Sequence, residues 1–316
     1  MKIFVLLPVL IVLGGCSKPE PVVEVNPVEE KQALKEEVGT EGPVAESKPA
    51  EAVSVRPHLK YEAEGGAVTI TGCNRNVSGK LVIPVTIEGK PITSIGAKAF
   101  SRCSSLTSIT IPDGVTSIGG LAFGLCSGLT SITIPNGVTN ISGGVFFQCS
   151  SLTSITIGAG VTSIGGNAFS RCSSLKSITI PDGVATIGGG AFDGCSSLTS
   201  ITIPDSVTSI GGDIFRSCTG LTSITIPDSV TSIEQGAFQE CSSLTSITIG
   251  AGVTSIGQGA FYSCSSLTAV TFLGDAPKAG LLVFEGANAT IYRKPEAKGW
   301  GDTWDGRPVK LISEKP

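Results

Sequence analysis

The sequence predicts a repeat solenoid: a right-handed coil with a parallel β-sheet on one face and short turns or 3₁₀ segments on the other. Three observations lead there. Seven consecutive units of 23 residues run from Cys103 to Ser263, each opening on a cysteine. Counted from that cysteine, Leu at +3, Ile at +6 and +8, Val at +12, Ile at +15 and Phe at +20 recur in all seven units. With the cysteine, that makes seven apolar positions in 23, more than a lone coil can cover, so the coils must stack and bury each other's side chains.

The first 57 residues place the chain at a membrane. Lys2 and the apolar run Ile3 to Leu13 have the form of a signal peptide and are too short to span a bilayer comfortably. The run ends in Leu13-Gly14-Gly15-Cys16, which resembles the bacterial lipobox, and the resemblance implies a cysteine acylated after cleavage at residue 15. Two or three acyl chains suffice for stable anchoring. Residues 16–57 then read as the lipidated Cys16 and a disordered stalk. Ser17 to Pro57 has no aromatic residue, six prolines, and nine Glu against five Lys plus Arg. A coil of that length spans roughly 35 Å.

Residues 58–102 form an N-terminal cap and a diverged unit. Val68-Thr69-Ile70 looks like a first capping strand, and Ile92, Ile95 and Phe100 keep the spacing of the array, but Leu81 to Pro91 carries an insertion. Within each regular unit (103–263), Ser108-Ile109-Thr110-Ile111 and its equivalents alternate polar and β-branched apolar residues, the pattern of a half-buried strand. Pro112-Asp113-Gly114 suits a turn out of the sheet. Val115 to Ile118 fits a second short strand, and the Ala-Phe-x-x-Cys piece a single helical or 3₁₀ turn. Side by side, seven or eight strands make one parallel sheet roughly 35 to 40 Å long. Residues 264–316 hold a last diverged unit, phased by Cys264, Leu267, Val270, Phe272 and Phe284, and a cap with Tyr292, Trp300 and Trp304 that would close the open core.

The phrase A-F-x-x-C-S-S-L-T-S-I-T-I-P-D-G-V-T-S-I-G, recurring through the array, resembles the BspA-like leucine-rich repeat of bacterial surface proteins. So do Leu81-Val82-Ile83-Pro84 and the stretch Glu88 to Gly96. The resemblance covers about 61 to 290. It implies a leucine-rich-repeat solenoid on the cell surface, in some members an adhesin, and brings no catalytic motif.

Enzymatic chemistry finds little to work with. The one histidine, His58, lies at the stalk boundary, far in sequence from any Ser-Asp or Cys partner in the array. Eight cysteines at one repeat position favour a ladder of buried thiols over disulfides, because parallel Cβ vectors oppose the bridging dihedral. No C-x-x-C pair and no array histidine suggest zinc. Asp182, Asp205 and Asp228 stack at the turn, where Asp is a turn residue first and a weak Ca²⁺ ligand second, and Ala159 and Ala251 interrupt the row. Neither a metal nor a cofactor is therefore expected. Three Lys plus Arg against eight Asp plus Glu in 103–263 would repel nucleic acid.

The expected contact surface is the outer face of the sheet. Ser at +5 gives Ser108, Ser131, Ser154, Ser177, Ser200, Ser223 and Ser246, and Thr at +7 gives Thr110, Thr133, Thr156, Thr179, Thr202, Thr225 and Thr248. A further Thr row at +4 is broken by Lys176. Such a face either binds a protein or glycan through many weak hydrogen bonds or is a soluble β surface without a ligand. Tyr292, Trp300 and Trp304 are candidate cap contacts. The expectation is a non-enzymatic protein lipid-anchored in the bacterial envelope, at the outer membrane or cell surface, that binds protein or glycan. A structural spacer is the alternative, and an ice-binding solenoid a remote one.

Overall fold

The computed structural model describes residues 58–315; Cys16 and the proposed signal and stalk lie outside the described residues. The chain winds into a β-solenoid with three sides to each coil. The first side carries the strands of the +5 to +8 region. Gly79–Val82, Leu106–Thr110, Ser131–Thr133 and Ser154–Thr156 form one parallel sheet. Ser223–Ile226, Ser246–Ile249, Ala269–Phe272, Thr290–Arg293 and Arg307–Leu311 form a second, with Thr303–Trp304 added antiparallel at its edge. The second side is a ladder of two-residue strands such as Ser117–Ile118, Ser163–Ile164 and Ser232–Ile233.

The single continuous sheet expected from the repeat is thus split in two. The split begins at Lys176, the one member of the +4 row without a hydroxyl. Thr130, Thr153, Thr245 and Thr268 each clamp two coils at once: Thr153 donates to the carbonyl of Thr130 through both its N–H (2.9 Å) and its Oγ1 (3.1 Å). Lys176 has no hydroxyl to repeat this. The next two coils bond loosely, Thr199 to Lys176 O through its N–H at 3.3 Å and its Oγ1 at 3.4 Å and Thr222 N–H to Thr199 O at 3.4 Å, against 2.9 Å for Thr245 N–H to Thr222 O.

The third side departs from the helical or 3₁₀ turn expected for Ala-Phe-x-x-Cys. Here the chain is a string of turns in which positions +18 and +22 hold positive φ in every coil, from Lys98 (59°) and Arg102 (67°) to Leu282 (57°) and Gly286 (75°). A left-handed residue every fourth position prevents a helix. In exchange, alternate N–H groups point along the solenoid. Leu121, Phe123 and Leu125 donate to Gly143, Val145 and Phe147 of the next coil at 2.7–3.1 Å, while Ala122, Gly124 and Cys126 bond within their own turn. All three sides therefore carry hydrogen bonds from coil to coil, which pair backbone groups that a helix would otherwise satisfy.

The core inside is a set of columns. Nine phenylalanines from Phe100 to Phe284 stack with ring centroids 5.3–5.5 Å apart. The array cysteines form another column, all buried and all free thiols. Each does more than fill space: Cys126 Sγ donates to Phe100 O at 3.0 Å, Cys172 to Phe146 O and Cys218 to Phe192 O at 3.1 Å, and so on to Cys264 and Phe238 O. The accepting carbonyl already takes the N–H of its own coil's cysteine, as Phe100 O takes Cys103 N–H. The repeat thus requires a small apolar side chain with a donor.

Both ends are closed. At the N terminus Leu59–Glu64 and Ala67–Cys73 form an antiparallel hairpin, whose second strand runs parallel to Lys90–Ile95. The inserted residues before it make a second small hairpin, Thr86–Ile87 against Lys90–Pro91. At the C terminus Trp300 and Trp304 lie on Phe272 with centroids 4.9 and 5.5 Å away, and Trp304 also meets Phe284.

Candidate interaction surfaces

The hydroxyl rows lie where the pattern puts them, exposed or half-exposed and in register. Ser108 pairs with Ser131 and Ser131 with Ser154; Ser223 pairs with Ser246 and Thr225 with Thr248. Thr110, Thr133 and Thr156 continue the +7 row, and Ser177, Thr179, Ser200 and Thr202 lie outward in the loosened coils. The +5 and +7 hydroxyls of the seven regular units show no intramolecular partner among the described residues, whereas those of Thr130, Thr153, Thr199 and Thr245 at +4 are committed to backbone carbonyls. A recess of about 650 Å³ opens over Ser200, Thr202, Ser223 and Thr225, with Asp205 and Asp228 at its rim. Asp228 is occupied structurally: its Oδ1 accepts the N–H of Ala251, at 2.6 Å, in the coil that lacks the usual Pro-Asp turn. Asn136 does the same for Ala159.

The three cap aromatics are drawn into the fold. Trp300 Nε1 donates to Gly274 O (3.3 Å) and Trp304 Nε1 to Pro277 O (3.2 Å), with both indoles partly buried on the end of the core. Tyr292 stands in the +7 row beside Thr271, but the C-terminal tail covers both: the Lys315 ammonium lies 5.8 Å from the Tyr292 ring centre and donates to Thr271 Oγ1 at 3.1 Å. The hydroxyl face therefore ends at this coil.

The third side holds chemistry that the regular pattern hides. Its outward positions +18, +21 and +22 are the ones the repeat leaves free, and stacking brings their varied side chains into a line. At the N-terminal end a recess of about 1010 Å³ is walled by His58, Lys60, Arg75, Lys98 and Arg102, with Cys73 and Asn74 among its lining and no carboxylate. Next come half-buried Leu121, Leu125 and Phe147. Leu121 and Phe147 also line a second recess of about 410 Å³, which reaches Arg171 and Asp193. Asp193 is shared in turn with a third of about 490 Å³, alongside Asp213, Arg216 and Glu234. The three recesses make one groove that is cationic at the N-terminal end, apolar next, and mainly anionic at the far end.

The anionic end is built around one ion pair. Asp193 is 8 % exposed. The Arg216 guanidinium grips it bidentately, Nε to Oδ1 at 2.8 Å and Nη2 to Oδ2 at 3.1 Å, and Ser170 Oγ adds a bond at 3.3 Å. The hydrogen bonds and charge of Asp193, with Asp213 and Glu240 nearby, push the Arg216 guanidinium further toward its charged form. Asp213, Glu234 and Glu240, which break the repeat in sequence, thus surround a cation that sequence reading did not single out. The signal was present: residues 58–102 carry six Lys plus Arg against three Asp plus Glu, the reverse of the array. What sequence could not give was the coil geometry that aligns positions 23 residues apart.

Residues 81–198 and 162–291 match the BspA type leucine rich repeat region, in six copies. No curated protein matches the chain. Among solved structures it is similar to a leucine-rich repeat protein from Bacteroides ovatus ATCC 8483, 29% identical with a TM-score of 0.64, over 81% of this chain and 76% of that one. It is also similar to the T. pallidum leucine rich repeat protein, 27% identical with a TM-score of 0.50, over 67% of this chain and 88% of that one. The family match spans well over half the sequence and coincides with the stacked coils, so the chain belongs to the BspA-type leucine-rich-repeat family.

Proposed function

We propose that this chain is a lipid-anchored, non-enzymatic binding protein of the bacterial cell envelope that holds its solenoid outward and engages a protein partner along the third-side groove. The observation that carries this reading is the alignment of the chemically varied positions into one continuous groove with opposite charge at its ends, against an otherwise uniform scaffold. Charged ends steer and orient a partner, and the apolar stretch of Leu121, Leu125 and Phe147 supplies the area to hold it. The hydroxyl face offers weak, repetitive bonds without such anchors, which suits an auxiliary contact. Anchoring rests on the lipobox-like Leu13-Gly14-Gly15-Cys16 and on the charged, proline-rich stalk that follows.

Two experiments test the two halves. The lipid-free chain is assayed against surface-displayed and matrix proteins, beside the double variant Arg75→Glu, Arg102→Glu and the face variant Ser223→Ala, Thr225→Ala. Saturable binding that weakens at least tenfold in the double variant, and falls with salt, supports the groove. Binding lost only in the face variant moves the site to the hydroxyl rows, and no saturable binding leaves a spacer role. Separately, Cys16→Ala should shift the chain from the membrane fraction to the soluble one.

A further inference from the structure

From the geometry we propose that Cys73 and Cys103 are a modification site: a thiol pair that a small-molecule disulfide converts into a Cys73–Cys103 bridge while the rest of the thiol column stays reduced. The column rule shows why this pair differs. Every array cysteine from Cys126 onward donates its thiol to a phenylalanine carbonyl 26 residues earlier, at 3.0–3.2 Å. For Cys103 the residue 26 positions earlier is Val77, in the cap, and no such bond forms. Its Sγ instead lies 4.0 Å from Asn74 O, the same carbonyl that Cys73 Sγ approaches at 3.6 Å.

The two sulfurs thus meet at the end of the column, where the repeat's regular acceptor runs out. Their surroundings fit reactivity. Cys73 is only half-buried and lines the cationic recess, so a reagent reaches it through the opening, whereas the thiols from Cys126 to Cys264 are sealed in the core. The hydrogen that the Cys73 thiol shares with Cys103, with the nearby Arg75 guanidinium, pulls the Cys103 thiol below its usual range, and that same bond, with burial, pushes the Cys73 thiol up, while burial pushes the column thiols up. Access at Cys73 and a base beside it in the Cys103 thiolate together make the pair reactive. The pair also does not share the parallel strand geometry that disfavours bridging within the column: Cys73 ends a cap strand, and Cys103 opens the first coil.

The chemistry balances with a disulfide RSSR as oxidant. Cys103 releases its proton and, as a thiolate, takes up the proton of the Cys73 thiol; the Cys73 sulfur attacks RSSR, and one RS⁻ leaves and takes up the released proton. Cys103 then loses its proton and attacks the Cys73 sulfur, and the second RS⁻ leaves and is protonated. Two protein thiols and RSSR become one protein disulfide and two RSH. The product ties the cap hairpin to the first coil beside the groove mouth.

The test uses the full chain with oxidised glutathione as probe. After exposure the protein is denatured, alkylated, and digested with trypsin and an Asp-specific protease, which place Cys73 in the peptide Tyr61–Arg75 and Cys103 in Cys103–Pro112. A cross-linked pair of these two peptides, with Cys126 to Cys264 fully alkylated, is the expected result. Cys73→Ser should abolish the cross-link and leave Cys103 alkylated. A stable glutathione adduct on Cys73 without a bridge, bridges among the column cysteines, or complete alkylation of both residues each overturns the proposal.

Discussion

At the scale of single residues, the repeat positions are under three separate constraints: volume, a donor, and backbone handedness. Phe192 is fully buried between Phe169 and Phe215 in the aromatic column, so Phe192→Ala leaves a void flanked by rings that cannot close on it. The expected cost is about 3–5 kcal/mol, read as a lowered urea midpoint; a loss below 1 kcal/mol would show that the column relaxes freely. Handedness is tested at Gly190, where φ is 65°. A β-branched side chain there meets its own backbone, and Gly190→Val should lose about 1–2 kcal/mol. Asn167 and Asp213 occupy the equivalent place in neighbouring coils, consistent with the tolerance of short polar side chains for this conformation.

At the scale of elements, the thiol column and the threonine clamp give opposite expectations for pH and for local opening. Burial raises the column thiols, Cys126 and Cys264 from 9.0 to about 12 and the deeper ones further. A folded value above the unfolded one means that the fold holds the protons that the unfolded chain releases. Stability is therefore complete below pH 9 and falls as pH rises from there. Each thiol loses about 1.4 kcal/mol per pH unit above that, and the losses of the seven from Cys126 to Cys264 act in the same direction. Circular dichroism and thiolate absorbance should change together in one alkaline transition above about pH 9. Ionisation of these thiols with the circular dichroism unchanged would refute the column's role. In the threonine ladder, Thr199 and Thr222 amides should exchange faster than those of Thr153 and Thr245, whose bonds are 2.9 Å. Lys176→Thr should slow exchange at residue 176 by adding a hydroxyl donor to the Thr153 carbonyl, worth about 1 kcal/mol.

At the scale of the whole molecule, stacking makes each coil replaceable and each end indispensable. Removing residues 126–148 deletes one complete unit and rejoins identical neighbours in phase, so the shortened chain should remain monomeric and folded by size exclusion and circular dichroism. Ending the chain at Asp302 removes Trp304 and the last strand, uncovering Phe272, Phe284 and the sheet edge at Thr290–Arg293, and should cause aggregation. The same logic explains the charge polarity of the groove. Coils that are interchangeable inside can vary only outside, and the end coils differ because the cap supplies Lys60 and Arg75 beside Lys98 and Arg102.

The solenoid, its core and its strand phase are legible in the residues alone, because burial of Leu106, Ile109, Ile111, Val115, Ile118 and Phe123 recurs at a fixed period, relaxed only at Ile155 and Ile157. The residues alone also place Ser108 to Thr248 on an outer face, since strand alternation leaves no other side for them. Only the tertiary structure decided the rest. The turns at Leu121 and Leu125 are left-handed because their N–H groups bond the next coil, an interaction invisible to local propensity. The sheet parts in the coils at Lys176, Thr199 and Thr222, where the +4 row's bonds from coil to coil are longest. The groove from Arg75 to Glu234 and the Cys73–Cys103 contact exist because stacking brings residues a full coil or more apart in sequence side by side, a proximity that sequence spacing alone does not encode.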